Sequence, residues 1–299
     1  MTADRRRRFR ELVESKDILV LPGVFNGFSA RLVESYGYKA AAVTGAGVSE
    51  SALGWADRGL LTFDENLRAC RALAACVAIP LLADADTGYG GPLNVYFVVR
   101  AFEQAGLAAI SIEDQVWPKR CGHLPGKRVI PAGEMVEKVK AAVDARRDRN
   151  FLIRARTDAA AIESINEVID RLNAYAQAGA DILFPDALMS ADDIAKVARA
   201  VTKPLSINMG FGLIERGTTP LLTPRQLQEL GVAVVSYSRM LTSSALRGMM
   251  NALDAFAETV DAPTPRQRPE LMVPFRKLNE LMGLDTLDEL EKRWTSRRD

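Results

Sequence analysis

The sequence predicts an α/β fold, an eight-stranded parallel (β/α)8 barrel of the TIM type with extra C-terminal helices. Eight short apolar runs recur along the chain, and each is followed by a polar or glycine-rich tip and then an amphipathic stretch. Their hydrophobicity is continuous rather than alternating, as in the strands of a parallel sheet that is buried on both faces. Eight such units in 299 residues favour a closed barrel over an open, doubly wound sheet.

The predicted strands end in polar residues. In chain order they are ILVLPGV (18–24), AAAVTG (40–45), PLLADAD (80–86), AAISIED (108–114), FLIRARTD (151–158), ILFPDA (182–187), PLSINMG (204–210) and AVVSYS (233–238). Because the reactive groups of such barrels sit at the carboxyl ends of the strands, we look for the functional site among these tips.

Helical patterns separate the strands. The clearest is an apolar stripe with the spacing of one helix face: Ile165, Val168, Ile169, Leu172 and Tyr175. Glycine stands just before four of the predicted strands, at Gly37, Gly106, Gly179 and Gly231. A left-handed C-terminal cap favours glycine, so these positions predict helix ends.

Charge and composition indicate a small-molecule partner. Lys and Arg number 39 and Asp and Glu 38, a formal net charge of +1, which supplies no long-range attraction for nucleic acid. The RRRR run at 5–8 precedes Phe9, Leu12 and Val13 at helical spacing, which favours a solvated first helix turn over a nucleic-acid arm. The N-terminus has no apolar signal region, and no apolar run approaches the roughly 20 residues of a membrane span. We therefore predict a cytoplasmic protein without a membrane or nucleic-acid partner.

The chain beyond the last predicted strand is longer than a barrel needs. We predict a barrel catalytic domain at residues 1–262 and a helical extension at 263–299. The extension carries apolar residues at helical spacing: Phe275, Leu278, Leu281, Leu287, Leu290 and Trp294. Such a face is an unburied patch unless another surface covers it, so we predict that it makes oligomer contacts.

Carboxylates at two adjacent tips predict a metal site. The third run ends in DADTGYG, which would place Asp84 and Asp86 on one side of an extended backbone, and the fourth ends with Glu113 and Asp114. Carboxylate oxygens suit Mg²⁺, which usually takes one or two protein carboxylates and keeps several waters. Mn²⁺ accepts the same oxygen ligands. The alternative is that these acids cap helices or pair with arginines.

Other tips offer groups that bind carboxylates. Arg156 ends the fifth run and would act as a bidentate clamp for a substrate carboxylate. Asn208 ends the seventh run and adds a neutral donor. A small-residue loop follows the second run, and its backbone N–H groups would bind a second carboxylate: Thr44, Gly45, Ala46 and Gly47.

The segment after the fourth run, QVWPKRCGHLPGKR (115–128), is too polar to be core. Its composition predicts a loop that closes over the mouth of the barrel. Cys121 lies between Lys119, Arg120 and the single histidine, His123, and these cations favour a thiol that shuttles a proton. An ordinary surface cysteine is the alternative. The chain's other cysteines, Cys70 and Cys76, lack the spacing of a zinc site or a disulfide framework.

Several motifs together resemble the isocitrate lyase and phosphoenolpyruvate mutase superfamily. They are TGAG (44–47), DADTGYGG (84–91), IEDQ (112–115), PKRCGH (118–123), GK (126–127), ARTDA (155–159) and AGAD (178–181). The likeness extends from about residue 8 to 235 and is greatest to short members such as 2-methylisocitrate lyase, 2,3-dimethylmalate lyase, oxaloacetate hydrolase and carboxyphosphonoenolpyruvate phosphonomutase.

The resemblance implies a barrel that forms a homotetramer with exchanged C-terminal helices. It also implies Mg²⁺ bound through Asp84, Asp86 and Glu113, partly by way of water. The reaction it implies is a retro-aldol cleavage of a 2-hydroxy acid. In that reaction Arg156 and the metal hold the 2-oxo acid, and Cys121 protonates the carbanion of the other fragment.

The catalytic residues predicted on this basis are Cys121, His123 and Arg156. The predicted substrate-binding residues are Thr44, Gly45, Ala46, Gly47, Asp57, Lys119, Arg120, Gly122, Asp186, Asn208, Glu215, Thr218 and Thr219.

The chain departs from the lyases at three places. Ala42 stands where these lyases have a tyrosine, and Asp186 stands where a glutamate is usual. The loop at 208–220 is about four residues longer than in these relatives. Ala42 leaves the general base unidentified, and together the departures alter the half of the site that sets specificity. The sequence therefore favours a lyase for a 2-methylisocitrate-like or 2-alkylmalate-like acid without choosing between them. Oxaloacetate hydrolysis, phosphonomutase chemistry and a barrel without catalysis stay open as alternatives.

Overall fold

The computed structural model describes residues 2–122, 126–212 and 219–295, without the side chain of Ala161. The predicted residues His123, Glu215 and Thr218 lie outside this part of the chain. Two compact units divide the chain, one up to Leu241 and one from Thr242 onward. The predicted division into a catalytic domain at 1–262 and an extension at 263–299 stays a prediction.

Eight parallel strands form the first unit's sheet, which confirms the predicted fold class. The strands are β1 (Leu19–Val24), β2 (Ala41–Val43), β3 (Leu81–Asp84), β4 (Ala109–Glu113), β5 (Leu152–Thr157), β6 (Ile182–Pro185), β7 (Ser206–Asn208) and β8 (Val234–Tyr237). They are hydrogen-bonded in the order β6-β5-β4-β3-β2-β1-β8-β7. A parallel bridge between Leu183 and Leu205 joins the two ends, so the barrel is nearly closed.

Each predicted strand is found, and seven of the eight are shorter than their apolar runs at the carboxyl end. After β3 and after β6 the backbone leaves the extended conformation, because Asp86 and Ala187 have positive φ values of 48° and 61°. The four predicted helix-ending glycines also have positive φ values, among them Gly106 at 93° and Gly179 at 106°.

Helices follow the strands as expected. They are α1 (Thr2–Val13), α2 (Gly27–Ser35), α3 (Gly45–Val48), α4 (Phe63–Cys76), α5 (Pro92–Gln104), α6 (Ala132–Ala145), α7 (Ile165–Gln177), α8 (Ala191–Ala200), α9 (Pro224–Glu229), α10 (Met240–Val260), α11 (Phe275–Leu281) and α12 (Leu284–Thr295). A π-helical turn, Ser49–Leu53, follows α3. Along α7, the stripe residues Val168, Leu172 and Tyr175 are fully buried.

Two apolar clusters hold the barrel. The larger lies between the sheet and its helices, and the smaller contains the inward-facing side chains near the amino ends of the strands, such as Leu21, Ala42 and Leu152. Phe9 of α1 is fully buried in the smaller cluster. The polar tips of the strands lie at the other, carboxyl end.

The basic run of α1 is only partly solvated, which corrects the sequence interpretation. Arg5 Nη1 donates to Ala74 O at 2.8 Å, at the end of α4, and Arg6 Nε donates to Leu107 O at 3.2 Å. Ala74 O is one of the carbonyl groups that a helix leaves without an intrahelical partner near its C-terminal end, whereas Leu107 lies between α5 and β4. No helix in the described part of the chain is long and apolar enough to cross a membrane.

Candidate active site

Four acidic side chains surround one side of the barrel mouth. Asp84 and Asp86 come from β3 and its tip, Glu113 ends β4, and Asp186 follows β6. Strand register pairs Glu113 with Arg156 of β5. Asp86, Glu113 and Asp186 are 3%, 2% and 2% exposed, so their charges are almost fully desolvated. We call these four residues the acid cluster.

The tip of β3 differs from its predicted extended form. Because Asp86 has a φ of 48°, its side chain does not continue the strand alternation. Asp84 supports the turn: its Oδ1 accepts from Asp86 N at 3.3 Å, and its Oδ2 accepts from Gly45 N at 3.3 Å. Asp84 thus links the tips of β2 and β3 and is less buried than Asp86.

Lys119 neutralises part of the acid cluster. Its Nζ lies 2.8 Å from Asp86 Oδ1 and 2.5 Å from Asp57 Oδ1, and the side chain is 4% exposed. Burial raises the pKa of Asp86 to about 6, with Lys119 opposing the rise and Asp84 adding to it. Burial acts to lower the pKa of Lys119, but Asp86 and Asp57 outweigh it and hold that pKa well above its usual value. The predicted residues Asp57, Asp86 and Lys119 therefore form one buried ionic group.

Arg156 lies among three carboxylates rather than reaching out as a free clamp. Its Nε and Nη2 donate to both oxygens of Asp158 at 2.8 and 2.9 Å, and Nη2 also donates to Asp186 Oδ2 at 2.8 Å. Glu113 Oε2 is 3.3 Å from Nε. Burial raises the pKa of Glu113 well above its usual value, despite Arg156. The alternative of acid–arginine pairing thus describes part of the site.

Asp114, directly after β4, has a structural role. Asp114 is fully buried and accepts from Tyr175 Oη at 2.7 Å, from Thr157 Oγ1 at 2.7 Å and from Asp158 N at 2.9 Å. Its side chain therefore fixes the end of β5 against α7. It is not part of the acid cluster.

The acid cluster fits a hard divalent cation bound by few protein ligands. Glu113 Oε1 and Asp186 Oδ1 are buried and accept no hydrogen bond from any described residue. Buried oxygens of this kind are costly unless a partner satisfies them. Among the described residues, no three acid, Cys or His side chains converge closely enough to form a cage. The donors thus suit Mg²⁺, which takes one or two carboxylates and completes its octahedron with water or substrate oxygens.

The polar segment after β4 lies over this mouth. Cys121 N donates to Asp57 O at 3.2 Å, and Gln115 brackets the backbone of Arg120 by accepting from its N and donating to its O. Lys127 Nζ donates to Gly122 O at 2.7 Å and to Asp158 Oδ1 at 2.9 Å. We call residues 117–128, of which 123–125 are not described, the thiol loop.

Gly122 makes the closest approach between the thiol loop and the acid cluster. A Cβ built on Gly122 would lie 1.6 Å from Asp186 Oδ2 and 2.5 Å from Arg156 Nη2. A side chain at this position would displace the Asp186 carboxylate and the Arg156 guanidinium from their present places. The predicted residues Gly122, Arg156 and Asp186 are therefore in direct contact.

The small-residue loop after β2 uses some of its amides within the protein. Gly45 N donates to Asp84, and Gly47 N donates to Thr44 Oγ1 at 3.3 Å. Ala46 is buried beside them. Asn208 lies at the end of β7 and is half-buried, as is Thr219 beyond it. Arg120 lines a cavity of about 370 Å³ whose lining includes none of the acid cluster.

Sequence reasoning missed four charged residues. Asp158 and Lys127 are fixed against Arg156 and Gly122, and the motifs ARTDA and GK contain them without assigning them a role. Arg239 Nη2 donates to Cys121 Sγ at 3.6 Å, and Arg239 Nη1 also donates to Glu50 Oε1. Glu50 gave no signal, because nothing near it in the sequence distinguishes it from a surface acid.

Arg154 lies one layer below Arg156. Its guanidinium donates to the hydroxyls of Ser111, Ser206 and Ser236 at 3.0, 3.4 and 3.3 Å and lies over the ring of Phe184. Burial lowers its pKa to about 10. Arg156 therefore pairs with carboxylates at the mouth, whereas Arg154 binds hydroxyl groups.

Comparisons with known proteins show similarity over most of the chain. Residues 9–257 match the model of a family described as phosphoenolpyruvate phosphomutase. The chain is 36% identical over 291 residues to 2,3-dimethylmalate lyase of Eubacterium barkeri, covering 97% of this chain and 98% of that protein. It is 43% identical over 249 residues to 2-methylisocitrate lyase of Aeropyrum pernix, covering 83% and 79%.

Solved structures of other proteins have a similar fold over nearly the whole chain. Oxaloacetate acetylhydrolase in complex with 3,3-difluorooxalacetate matches with a TM-score of 0.88 at 31% identity, covering 97% of each chain. Phosphonopyruvate hydrolase in complex with oxalate and Mg²⁺ matches with a TM-score of 0.82 at 26% identity, covering 97% of this chain and 99% of that one.

Proposed function

The chain belongs to the phosphoenolpyruvate phosphomutase family, and from this premise we propose that it is a Mg²⁺-dependent carbon–carbon lyase. It cleaves a 2-methylisocitrate-like or 2-alkylmalate-like acid to a 2-oxo acid and a second carboxylate. The observation that supports this proposal most is the buried acid cluster, in which no described residue satisfies one Glu113 oxygen, next to the loop that carries Cys121.

Asp86 and Glu113 would hold the metal, with Asp84 acting partly through water. When bound, Mg²⁺ is a Lewis acid that offsets negative charge on the substrate oxygens. The ligand complexes of phosphonopyruvate hydrolase and oxaloacetate acetylhydrolase support a small carboxylate at this position. Mn²⁺ shares the ligand chemistry and belongs in the same assays.

Residues of the chain itself bind the substrate, exclude water and transfer the proton. Arg156 supplies positive charge beside the acid cluster, where the 2-oxo acid would bind. The thiol loop covers the mouth and excludes water, which protects a carbanion from protonation at the wrong place. Cys121 then donates its proton to that carbanion. Ala42 carries no proton-accepting group, so another acceptor takes the substrate's hydroxyl proton.

Release of a 2-oxo acid tests the proposed lyase activity. Purified protein with Mg²⁺ is given 2-methylisocitrate, 2,3-dimethylmalate and other 2-alkylmalates, and the release of pyruvate, glyoxylate and oxaloacetate is measured. We expect 2-oxo acid from at least one of them, and none after EDTA. No release across the panel would contradict the proposal.

The variant C121S separates a lyase from a barrel without catalysis. A lyase should lose turnover by about 100-fold or more, because a hydroxyl is a far weaker proton donor than a thiol, yet it should still bind ligand. An inactive binding protein would be indifferent to the change. C76S serves as the control because Cys76 is the last residue of α4, where its Sγ donates to Leu73 O at 3.3 Å.

Oxaloacetate hydrolysis is the second candidate, favoured by the structural match to oxaloacetate acetylhydrolase. It would appear in the same assay as oxalate and acetate formed from oxaloacetate. Phosphonomutase chemistry would instead give a phosphorus NMR signal from a rearranged phosphonate.

The assembly proposed for the chain is a homotetramer with exchanged C-terminal helices. Its support lies in the second unit, where Phe256, Phe275 and Trp294 are 65%, 79% and 71% exposed. Large apolar side chains at such exposure indicate a contact surface. The cytoplasmic location and the lack of a nucleic-acid partner stay predictions.

A further inference from the structure

Glu50, Cys121 and Arg239 meet on the side of the mouth formed by β8, β1 and β2. Glu50 lies in the π-helical turn after β2, and Arg239 lies two residues beyond β8. β1 pairs with both strands. Arg239 donates to Glu50 Oε1 and, at 3.6 Å, to Cys121 Sγ. Single π-helical turns are frequent at functional sites.

This side of the mouth carries a different charge balance from the acid cluster. The two side chains are 22% and 34% exposed, so neither charge is fully screened by solvent. Arg239 offers one guanidinium beside the sulfur, and Glu50 already neutralises it. One incoming carboxylate can share the guanidinium, which has several N–H donors. A second carboxylate on the same fragment would meet the like charge of Glu50 without a further cation from either residue.

The lyase reaction brings a carboxylate to this place. The C2–C3 bond of the 2-hydroxy acid breaks, the hydroxyl loses its proton to become the 2-oxo group, and the electron pair moves to C3. C3 is bonded to a carboxylate, so the charge spreads onto its oxygens. Cys121 gives its S–H proton to C3, and the thiolate is reprotonated from solvent. A guanidinium in contact with the sulfur lies where that charge develops.

We propose that Arg239 holds the carboxylate of the fragment that Cys121 protonates, and that Glu50 restricts this fragment to a single carboxylate. The assignment rests on the proposed lyase function and narrows it. The substrate is a dicarboxylic 2-hydroxy acid of the 2-alkylmalate class, in preference to a tricarboxylic acid of the methylisocitrate class. Glu50 discriminates by repulsion, which is a common means of specificity.

Substitution of Glu50 tests the repulsion. In E50Q the ratio of kcat/KM for 2-methylisocitrate to that for 2,3-dimethylmalate should rise about tenfold, because one like charge near the second carboxylate is gone. E229Q is the matched control, since Glu229 forms an exposed pair with Arg225 and should leave the ratio unchanged. An unchanged ratio in active E50Q would overturn the proposal.

Substitution of Arg239 tests the attraction. R239M should raise KM for 2,3-dimethylmalate about tenfold or more, and R239K should recover part of the loss because it keeps the charge. R225M is the exposed control. Wild-type kinetics in folded R239M would contradict the assignment. If R239M fails to fold, R239K provides the test, and it should have a higher KM for 2,3-dimethylmalate than wild type.

Binding separates failure of this assignment from failure of the lyase proposal. Calorimetry on the wild type loaded with Mg²⁺ and pyruvate compares propionate with succinate, the one- and two-carboxylate fragments. We expect propionate to bind about tenfold more tightly and E50Q to reduce that preference. Equal or tighter binding of succinate to the wild type would overturn the assignment, whether or not the protein turns over any substrate.

Discussion

Glu113 is buried with one carboxylate oxygen that no described residue satisfies, and Asp86 is buried beside Lys119. At the scale of single residues, these groups are unfavourable for the metal-free fold. Burial raises the pKa of both side chains, which shows that the folded chain opposes their charged forms. Their arrangement is thus better explained by a bound cation than by stability.

Glu113→Gln should have opposite effects with and without metal. In EDTA the variant should melt a few degrees above wild type, because glutamine is always neutral and burial opposes the charged form of Glu113. In MgCl₂ it should lose the rise in Tm that ligand binding gives the wild type. Differential scanning fluorimetry measures both, with the exposed Glu137→Gln as control. A Mg²⁺-dependent rise in E113Q equal to that of wild type would show that Glu113 is not a ligand.

Gly122→Ala should stop the thiol loop from docking. The added Cβ would overlap Asp186 Oδ2, and the backbone of both residues is held by other contacts. We expect kcat to fall about 100-fold or more with little change in Tm, because a small misplacement of the reacting groups is costly. Gly133→Ala is the control, since a Cβ there meets nothing within 4 Å. Unchanged turnover in G122A would show that the reaction does not require the thiol loop to dock against Asp186.

At the scale of elements, the thiol loop is held by polar contacts rather than by an apolar core. Lys119 binds Asp57 and Asp86, and Lys127 binds Asp158 and the carbonyl of Gly122. The contacts with Asp57, Asp86 and Asp158 join the loop to different parts of the barrel mouth, and the contact with Gly122 lies within the loop. The loop therefore depends on a few buried ion pairs, whose loss leaves an uncompensated charge.

Lys127→Met should release the loop while leaving the barrel folded. Asp158 keeps Arg156 as a partner, so the free energy of unfolding should fall by about 3 kcal/mol. Trypsin should cleave after Arg120 faster than in wild type, because local opening exposes the backbone. Lys140→Met, at an exposed pair with Glu137, is the control. A cleavage rate equal to that of wild type would mean that Lys127 does not hold the loop.

At the scale of the whole molecule, the first unit contains its own core and the candidate site, whereas the second exposes much of its apolar surface. Within the described part of the second unit, Ala255 is the buried hydrophobic residue, and Leu253, Phe256 and Phe275 are exposed. A unit of this composition is not stabilised by its own packing. We therefore expect another surface to cover it.

Deletion of residues 264–299 should reduce the mass of the assembly. The deletion removes α11 and α12, whose apolar side chains include Phe275, Leu287 and Trp294. Sedimentation equilibrium should then give a smaller oligomer than the full chain under the same conditions. The same mass per assembly after deletion would contradict a role for the extension in oligomer contact.

The sequence by itself determined the strands, their order and the acids at their tips. Continuous apolar runs and helix-ending glycines are local signals, and a parallel barrel turns each strand end towards the same mouth. For this reason the sequence alone predicts that Asp86, Glu113, Arg156 and the thiol loop lie together. The family motifs add the reaction class.

Only the tertiary structure decided which charges meet. Arg239 is 189 residues from Glu50 and 118 from Cys121, and their contact depends on β8 closing beside β1. The turn at Asp86, the close approach at Gly122 and the enclosure of Arg156 by acids likewise depend on packing between strands. Hydrophobic periodicity records which residues are buried, but it carries no information about which buried charges lie opposite one another across a closed barrel.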